Sequence, residues 1–140
     1  MYKKILVPVD MGRVQNAIKL CATAMKLADD DAEITLLTVM PGYGMSVVAS
    51  FFPADAQEQA LREVKKALSK MADENLSGNV RVVVHQGKRA KWILDEAREW
   101  GSDIIVIGTR RKASSDGKRL LGSCASSVAD RADCAVLIVR

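Results

Sequence analysis

The sequence predicts an α/β fold built on an open parallel sheet, and three observations predict it. Short apolar runs alternate strictly with amphipathic stretches from one end of the chain to the other. The apolar runs are nearly continuous and rich in β-branched residues, as strands covered on both faces are. The chain has 140 residues, 49% of them hydrophobic, with no Ser-, Gly- or Gln-rich tract to act as a linker. That is enough to bury one core without disulfides or metals, so residues 1–140 read as a single domain.

The elements follow in order. Lys4 to Val9 (KILVPV) and Ile34 to Val39 (ITLLTV) read as interior strands. Between them Val14, Ala17, Ile18, Cys21, Met25 and Ala28 recur at three- and four-residue steps, which places one apolar stripe on a helix ended by Asp29, Asp30 and Asp31. Met40-Pro41-Gly42-Tyr43-Gly44 stops the second strand, because Pro lacks a donor and the glycines loosen the backbone. The connection from Tyr43 to Phe52 is unusually apolar, which suits a lid, a contact surface or local packing. From Ala54 to Glu74 the inward positions are Leu61, Val64, Leu68 and Met71, with Glu58, Arg62, Lys65 and Lys66 on the wet side of a second helix.

Asn79 to His85 (NVRVVVH) is a third strand, and Ala90 to Trp100 a third helix that turns Ile93, Leu94 and Ala97 inward and stops at Gly101. Asp103 to Ile107 (DIIVI) is the fourth strand. A basic loop from Gly108 to Arg119 leads into a last helix with Ala125, Val128, Ala129 and Ala132 inside, and Ala135 to Val139 (AVLIV) closes the chain as strand five. Strict alternation demands right-handed crossovers between parallel strands, and helices on both faces require the strand order to reverse. An open five-stranded order 3-2-1-4-5 satisfies both conditions. The reversal then falls between strands one and four, whose carboxyl ends are where open α/β sheets bind ligands.

Those ends carry Pro8-Val9-Asp10 and Gly108-Thr109-Arg110-Arg111, with Val39 beside them and Gly122-Ser123 at the start of the last helix. Gly108 lets the chain leave its strand close to a ligand, and a helix beginning at Gly122-Ser123 offers backbone N–H groups and a positive dipole end to a phosphate. Arg110, Arg111, Lys112, Lys118 and Arg119 add positive charge. The net charge of +4 favours anionic ligands, but aromatics are only 4% and no basic stripe is present, so no specific nucleic-acid partner is expected. The apolar run after Lys3-Lys4 is far too short for a signal sequence or a membrane span. The 3 cysteines, Cys21, Cys124 and Cys134, lack CxxC spacing, which fits reduced thiols in the cytoplasm.

At the level of whole segments, ILVPVD, ITLLTV, DIIVIGTR, LLGSCASSV and CAVLIVR resemble the universal stress protein family, in particular its small single-domain bacterial members. The resemblance implies a Rossmann-like, adenine nucleotide alpha hydrolase-like fold. It also implies an adenine nucleotide, ATP above all, with or without Mg, held as a regulatory ligand in a stress response. Asp10 and the Val39 backbone would then face the adenine, and Pro8 and Gly108 the ribose. Gly122, Ser123, Cys124 and Ala125 would meet the phosphates, with Val9, Arg110 and Arg111 completing the site. The nucleotide-binding branch of the family is similar to a pattern of Gly, two residues, Gly, nine residues, then Gly-Ser or Gly-Thr. Here Arg111 replaces the middle Gly, and ten residues separate it from Gly122. Arg111 either obstructs a phosphate's approach to the backbone or clamps it with its guanidinium.

Alternatives stand beside these readings. Asp10 is also suited to capping the first helix. Cys124 near a helix start has no partner base in the sequence, and no general base or carboxylate pair is apparent, so no catalytic residue is assigned and at most slow ATP hydrolysis is expected. His85, the single histidine, has no acidic or Cys companion at ligand spacing and is given no metal role. Trp92 falls off the apolar stripe of its helix. Strand five would be a fully apolar sheet edge, which predicts a homodimer through Ala135, Val136, Leu137, Ile138 and Val139, as the resemblance also implies. The rival to nucleotide binding is the same dimer as a nucleotide-free interaction module.

Overall fold

The computed structural model describes residues 1–42, 54–109 and 121–140. Along the chain run β1 (Tyr2–Pro8), α1 (Val14–Leu27), β2 (Ala28–Met40), α2 (Ala54–Asn75), β3 (Asn79–Gln86), α3 (Arg89–Trp100), β4 (Ile104–Gly108), α4 (Ser123–Arg131) and β5 (Ala135–Val139). The sheet order is β3-β2-β1-β4-β5 with every neighbouring pair parallel, as the alternation predicts. The apolar connection from Tyr43 to Phe52 and the basic loop beyond Thr109 lie outside the described residues.

Period-two alternation splits the apolar runs between two cores. Ile5 and Val7 of β1, with Val9 just beyond it, join Ile34, Leu36, Ile104 and Val106 beneath α1 and α2, with Leu20, Cys21 and Leu68 closing that layer. Leu6 points the other way, to Leu37, Ile105 and Ile107, and meets Ile93 of α3 and Val128 of α4. Because both faces are covered, Ile5, Leu6 and Val7 are all fully buried. An uninterrupted apolar run is therefore the right sequence for an interior parallel strand.

Two expectations need correction. The first helix does not run to the aspartates: it ends at Leu27, and Ala28 has extended dihedrals (φ −72, ψ 133) and already belongs to β2. Asp29 pairs there with the terminal ammonium of Met1, and Asp31 with Lys3 at 3.6 Å, so the acids trim the start of a strand pair instead of stopping a helix. The inward stripes also shift: α1 buries Ala17, Leu20, Cys21 and Ala24 while Val14 is exposed, and on α4 Ala129 faces out. The α3 stripe holds, with Ile93 and Ala97 buried, and Gly101 ends the helix in the left-handed conformation (φ 77) that glycine adopts without strain.

β1 and β4 register only through Ile5–Ile104 and Leu6–Ile105. At the foot of this short ladder Asp103 substitutes for further pairing. Its backbone N–H donates to the Lys4 carbonyl (2.8 Å), and its carboxylate accepts the Lys3 and Lys4 N–H groups at 2.8 and 2.9 Å. Those two backbone donors hold the Asp103 carboxyl below its usual value. A depressed carboxyl stabilises the fold above the ordinary carboxylate range, and the contribution disappears as pH falls through the folded-state value. Asp103→Asn is therefore expected to be less stable than the parent in urea at pH 7, with the gap shrinking towards pH 3. A gap equally wide at both pH values would show that the charge of Asp103 contributes nothing; the effect is small because the group is solvent-screened.

Candidate functional site

The reversal of strand order opens a cleft, and the backbone explains why it stays open. Pro8 ends β1 with no N–H to give, and the next donor, Val9 N–H, goes to Leu37 of β2 (2.8 Å) and not to β4. The Thr38 hydroxyl, also on β2, donates to the Val9 carbonyl (2.9 Å). With the end of β1 tied to one side, β1 and β4 part above Leu6 and Ile105, leaving a cleft of about 600 Å³ at their carboxyl ends.

Pro8, Val9, Asp10, Val39, Gly108, Gly122, Ser123, Cys124 and Ala125 all line this cleft. The sequence singled out each of them, and the fold brings them together. Arg110 and Arg111 lie outside the described residues, as do Lys112, Lys118 and Arg119.

Asp10 closes the turn that leads out of β1. Its carbonyl accepts the Arg13 N–H (3.0 Å), its Oδ1 accepts the Gly12 N–H (2.9 Å), and Arg89 Nη2 lies 3.6 Å from its Oδ2. It does not cap α1, whose N-cap is Arg13 with no side-chain cap. α4 likewise starts at Gly122 (φ −62, ψ 157) without a side-chain cap and with no acid in its first turn. Ser123 is thus the first helical residue and not a cap. The positive end of the α4 dipole meets the cleft with no carboxylate in that turn to offset it, an arrangement suited to an anion.

Sequence reasoning passed over Arg13, Asn16, Gly87 and Arg89, which also line the cleft. All four sit in turns or first helical turns at the carboxyl edge of the sheet, so topology was the signal that could have found them. Arg13 Nη1 reaches the Thr109 carbonyl at 3.5 Å, and Asn16 packs directly against Gly108. Gly87 has φ 138, and a Cβ there would sit 2.8 Å from Trp92 Nε1. Only glycine lets that turn pass under the indole.

His85 corrects a further expectation, because it does have an acidic companion. Its Nε2 lies 3.2 Å from Glu96 Oε2, while Glu96 Oε1 pairs with Arg81, and its ring stacks on Trp92 with centroids 4.1 Å apart and planes 9° from parallel. Trp92, off the apolar stripe as expected, is half-buried by that stack and donates Nε1–H to the Gln86 carbonyl (3.0 Å). Glu96 is buried and gains its partners from β3, which helical periodicity alone cannot reveal. Among the described residues no group of three His, Cys, Asp or Glu side chains is placed to hold a metal, and no helix is long and apolar enough to cross a membrane. Burial pushes the Cys21 thiol up to about 11 and raises that of Cys134, so neither is a ready nucleophile at neutral pH.

β5 is the sheet edge. Val136 and Ile138 pack on the α3–α4 core and Val139 on the other, while Ala135 and Leu137 are exposed, Leu137 to 36%.

Comparison with known proteins bears on family and fold. The sequence model of the Universal stress protein family matches residues 1–140. Universal stress protein G of Shigella flexneri is 36% identical over 145 residues, covering 100% of each chain. Among solved structures, hypothetical protein MJ0577 superposes with a TM-score of 0.79 at 25% identity over 99% of this chain and 96% of its own. A universal stress protein in complex with cAMP superposes at 0.67 and 21% identity, covering 99% and 97% of the two chains. The Archaeoglobus fulgidus universal stress protein in complex with dAMP superposes at 0.59 and 22%, covering 99% and 98%.

Proposed function

The chain belongs to the universal stress protein family, and on that premise we propose that it binds an adenine nucleotide, ATP foremost, as a regulatory ligand in the cleft at the carboxyl ends of β1 and β4. The observation that carries this reading is the uncapped amino end of α4 opening onto a cleft of about 600 Å³, a volume typical of small-molecule sites. Two structural neighbours are described as complexes with cAMP and dAMP, which supports an adenine nucleotide as the ligand class.

The donor chemistry fits such a group. Gly122, Ser123, Cys124 and Ala125 would hold phosphates, Pro8 and Gly108 the ribose, and Asp10 with the Val39 backbone the base, with Arg110 and Arg111 adding charge from the neighbouring loop. Mg, where present, would travel with the phosphates. No residue is assigned a catalytic role, and the ligand acts by occupancy. The cysteine spacing supports a cytoplasmic setting. The exposed Leu137 on the β5 edge supports a homodimer in which residues 135–139 of two copies meet.

One observation favours a second reading, in which the chain is a nucleotide-free dimeric module: Arg111 stands where the family's binding branch has glycine. A single preparation separates the two. Protein purified without added nucleotide is denatured, its supernatant is assayed for nucleotide, and the intact sample is titrated with ATP in a calorimeter and sedimented. Near-stoichiometric nucleotide or micromolar affinity is expected, with the mass of two chains. Indifference to millimolar ATP would overturn nucleotide binding and leave the module, and the mass of one chain would overturn the dimer.

A further inference from the structure

Within the proposed nucleotide site, and resting on that reading, we infer that Asn16 recognises the sugar and makes the cleft selective for a ribonucleotide over its deoxy forms. Asn16 lies in the first turn of α1, half-buried, and lines the cleft. Its carboxamide is turned onto the end of β4: a Cβ added to Gly108 would come 2.5 Å from Asn16 Nδ2, 3.5 Å from Cγ and 3.6 Å from Oδ1. The side chain therefore occupies the space a residue at 108 would claim, and glycine is what admits it.

Asparagine in a first helical turn commonly bonds to backbone or solvent. This one has no hydrogen-bond partner among the described residues. A carboxamide carries two donors and one acceptor, and held at a cleft wall it needs a ligand that both gives and takes hydrogen bonds there. A phosphate would use only the Nδ2 donors and leave the Oδ1 acceptor idle, and the amino end of α4 already suits that group. The vicinal diol of a ribose is well matched: one hydroxyl donates to Oδ1 and the other accepts from Nδ2. Removing either hydroxyl leaves an amide atom unpaired against the ligand, and a site built to hydrogen-bond a hydroxyl rejects analogues that lack it.

The experiment is calorimetric titration of the full-length protein and of Asn16→Leu with ATP, 2′-dATP and 3′-dATP, with thermal unfolding of both proteins as the folding control. The parent is expected to bind ATP about tenfold more tightly than the deoxynucleotides. Asn16→Leu is expected to lose about tenfold on ATP and to bind all three nucleotides alike. Equal affinities of the parent for the three nucleotides would overturn the inference without reference to the variant, and so would a preference that survives in Asn16→Leu or, should that variant fail to fold, in Asn16→Ala. A parent that binds none of the three overturns the nucleotide reading itself, a result distinct from loss of discrimination.

Discussion

Leu6→Ala is expected to lower the melting temperature by roughly 10 °C. Leu6 is fully buried on the central strand and faces the layer formed by Leu37, Ile105, Ile93 and Val128. Truncating it removes the transfer free energy of the lost carbons and leaves a cavity that the sheet cannot collapse into, because β2 and β4 hold β1 on either side. Core Leu→Ala changes cost about 2–5 kcal/mol, and for a chain of this length each kcal/mol moves the midpoint by roughly 3–4 °C. Leu137→Ala, at a site 36% exposed on the edge strand, provides the comparison, with an expected change within about 0.5 kcal/mol when both variants are melted at low protein concentration. Similar shifts for the two variants would mean that the centre of the sheet carries no more of the stability than its edge.

Gly108→Val is expected to cost at least about a hundredfold in ATP affinity while leaving the melting temperature within a few degrees of the parent. The two effects separate because they arise from different atoms. Valine suits a strand end, so the fold gains propensity where it loses space. Its Cβ, however, falls 2.5 Å from Asn16 Nδ2, which must swing away, and its methyl groups then stand at the cleft wall where the sugar is proposed to lie. Losing the amide contact and adding a clash together account for the roughly 2.7 kcal/mol that a hundredfold represents. Calorimetry and thermal unfolding of the same sample decide the matter. Unchanged ATP binding would remove the nucleotide from this wall of the cleft.

The strand order was legible because apolar continuity in KILVPV, ITLLTV and DIIVI reports burial on both faces, and burial on both faces leaves few ways to connect parallel strands. The reversal point, and with it Asp10, Gly108 and Gly122, followed from topology. The end of α1 was not legible, because Asp29, Asp30 and Asp31 read as a helix stop on their own, and the partners of Asp29 and Asp31, the Met1 ammonium and Lys3, come from the beginning of the sequence. Asn16 and Arg89 were missed for a related reason. Each is an ordinary polar residue on a helical face, and only the approach of Gly108 to one and Asp10 to the other marks it out. The His85–Glu96 pair joins a strand position to a helix position, a relation that neither period two nor period 3.6 expresses.

The shortness of the β1–β4 ladder has a consequence for how the molecule breathes. The shortest register in the sheet runs through its middle, where Ile5–Ile104 and Leu6–Ile105 are the whole of it and Asp103 pins the lower end. Two leaves, β3-β2-β1 and β4-β5, meet there, joined by this short register and by the two cores that run across it. A molecule lying across the open end touches both leaves, so its binding free energy is added directly to the work of parting them. Occupancy would then set how long each copy survives proteases and heat, and the ligand's concentration in the cell would be written into the protein's lifetime.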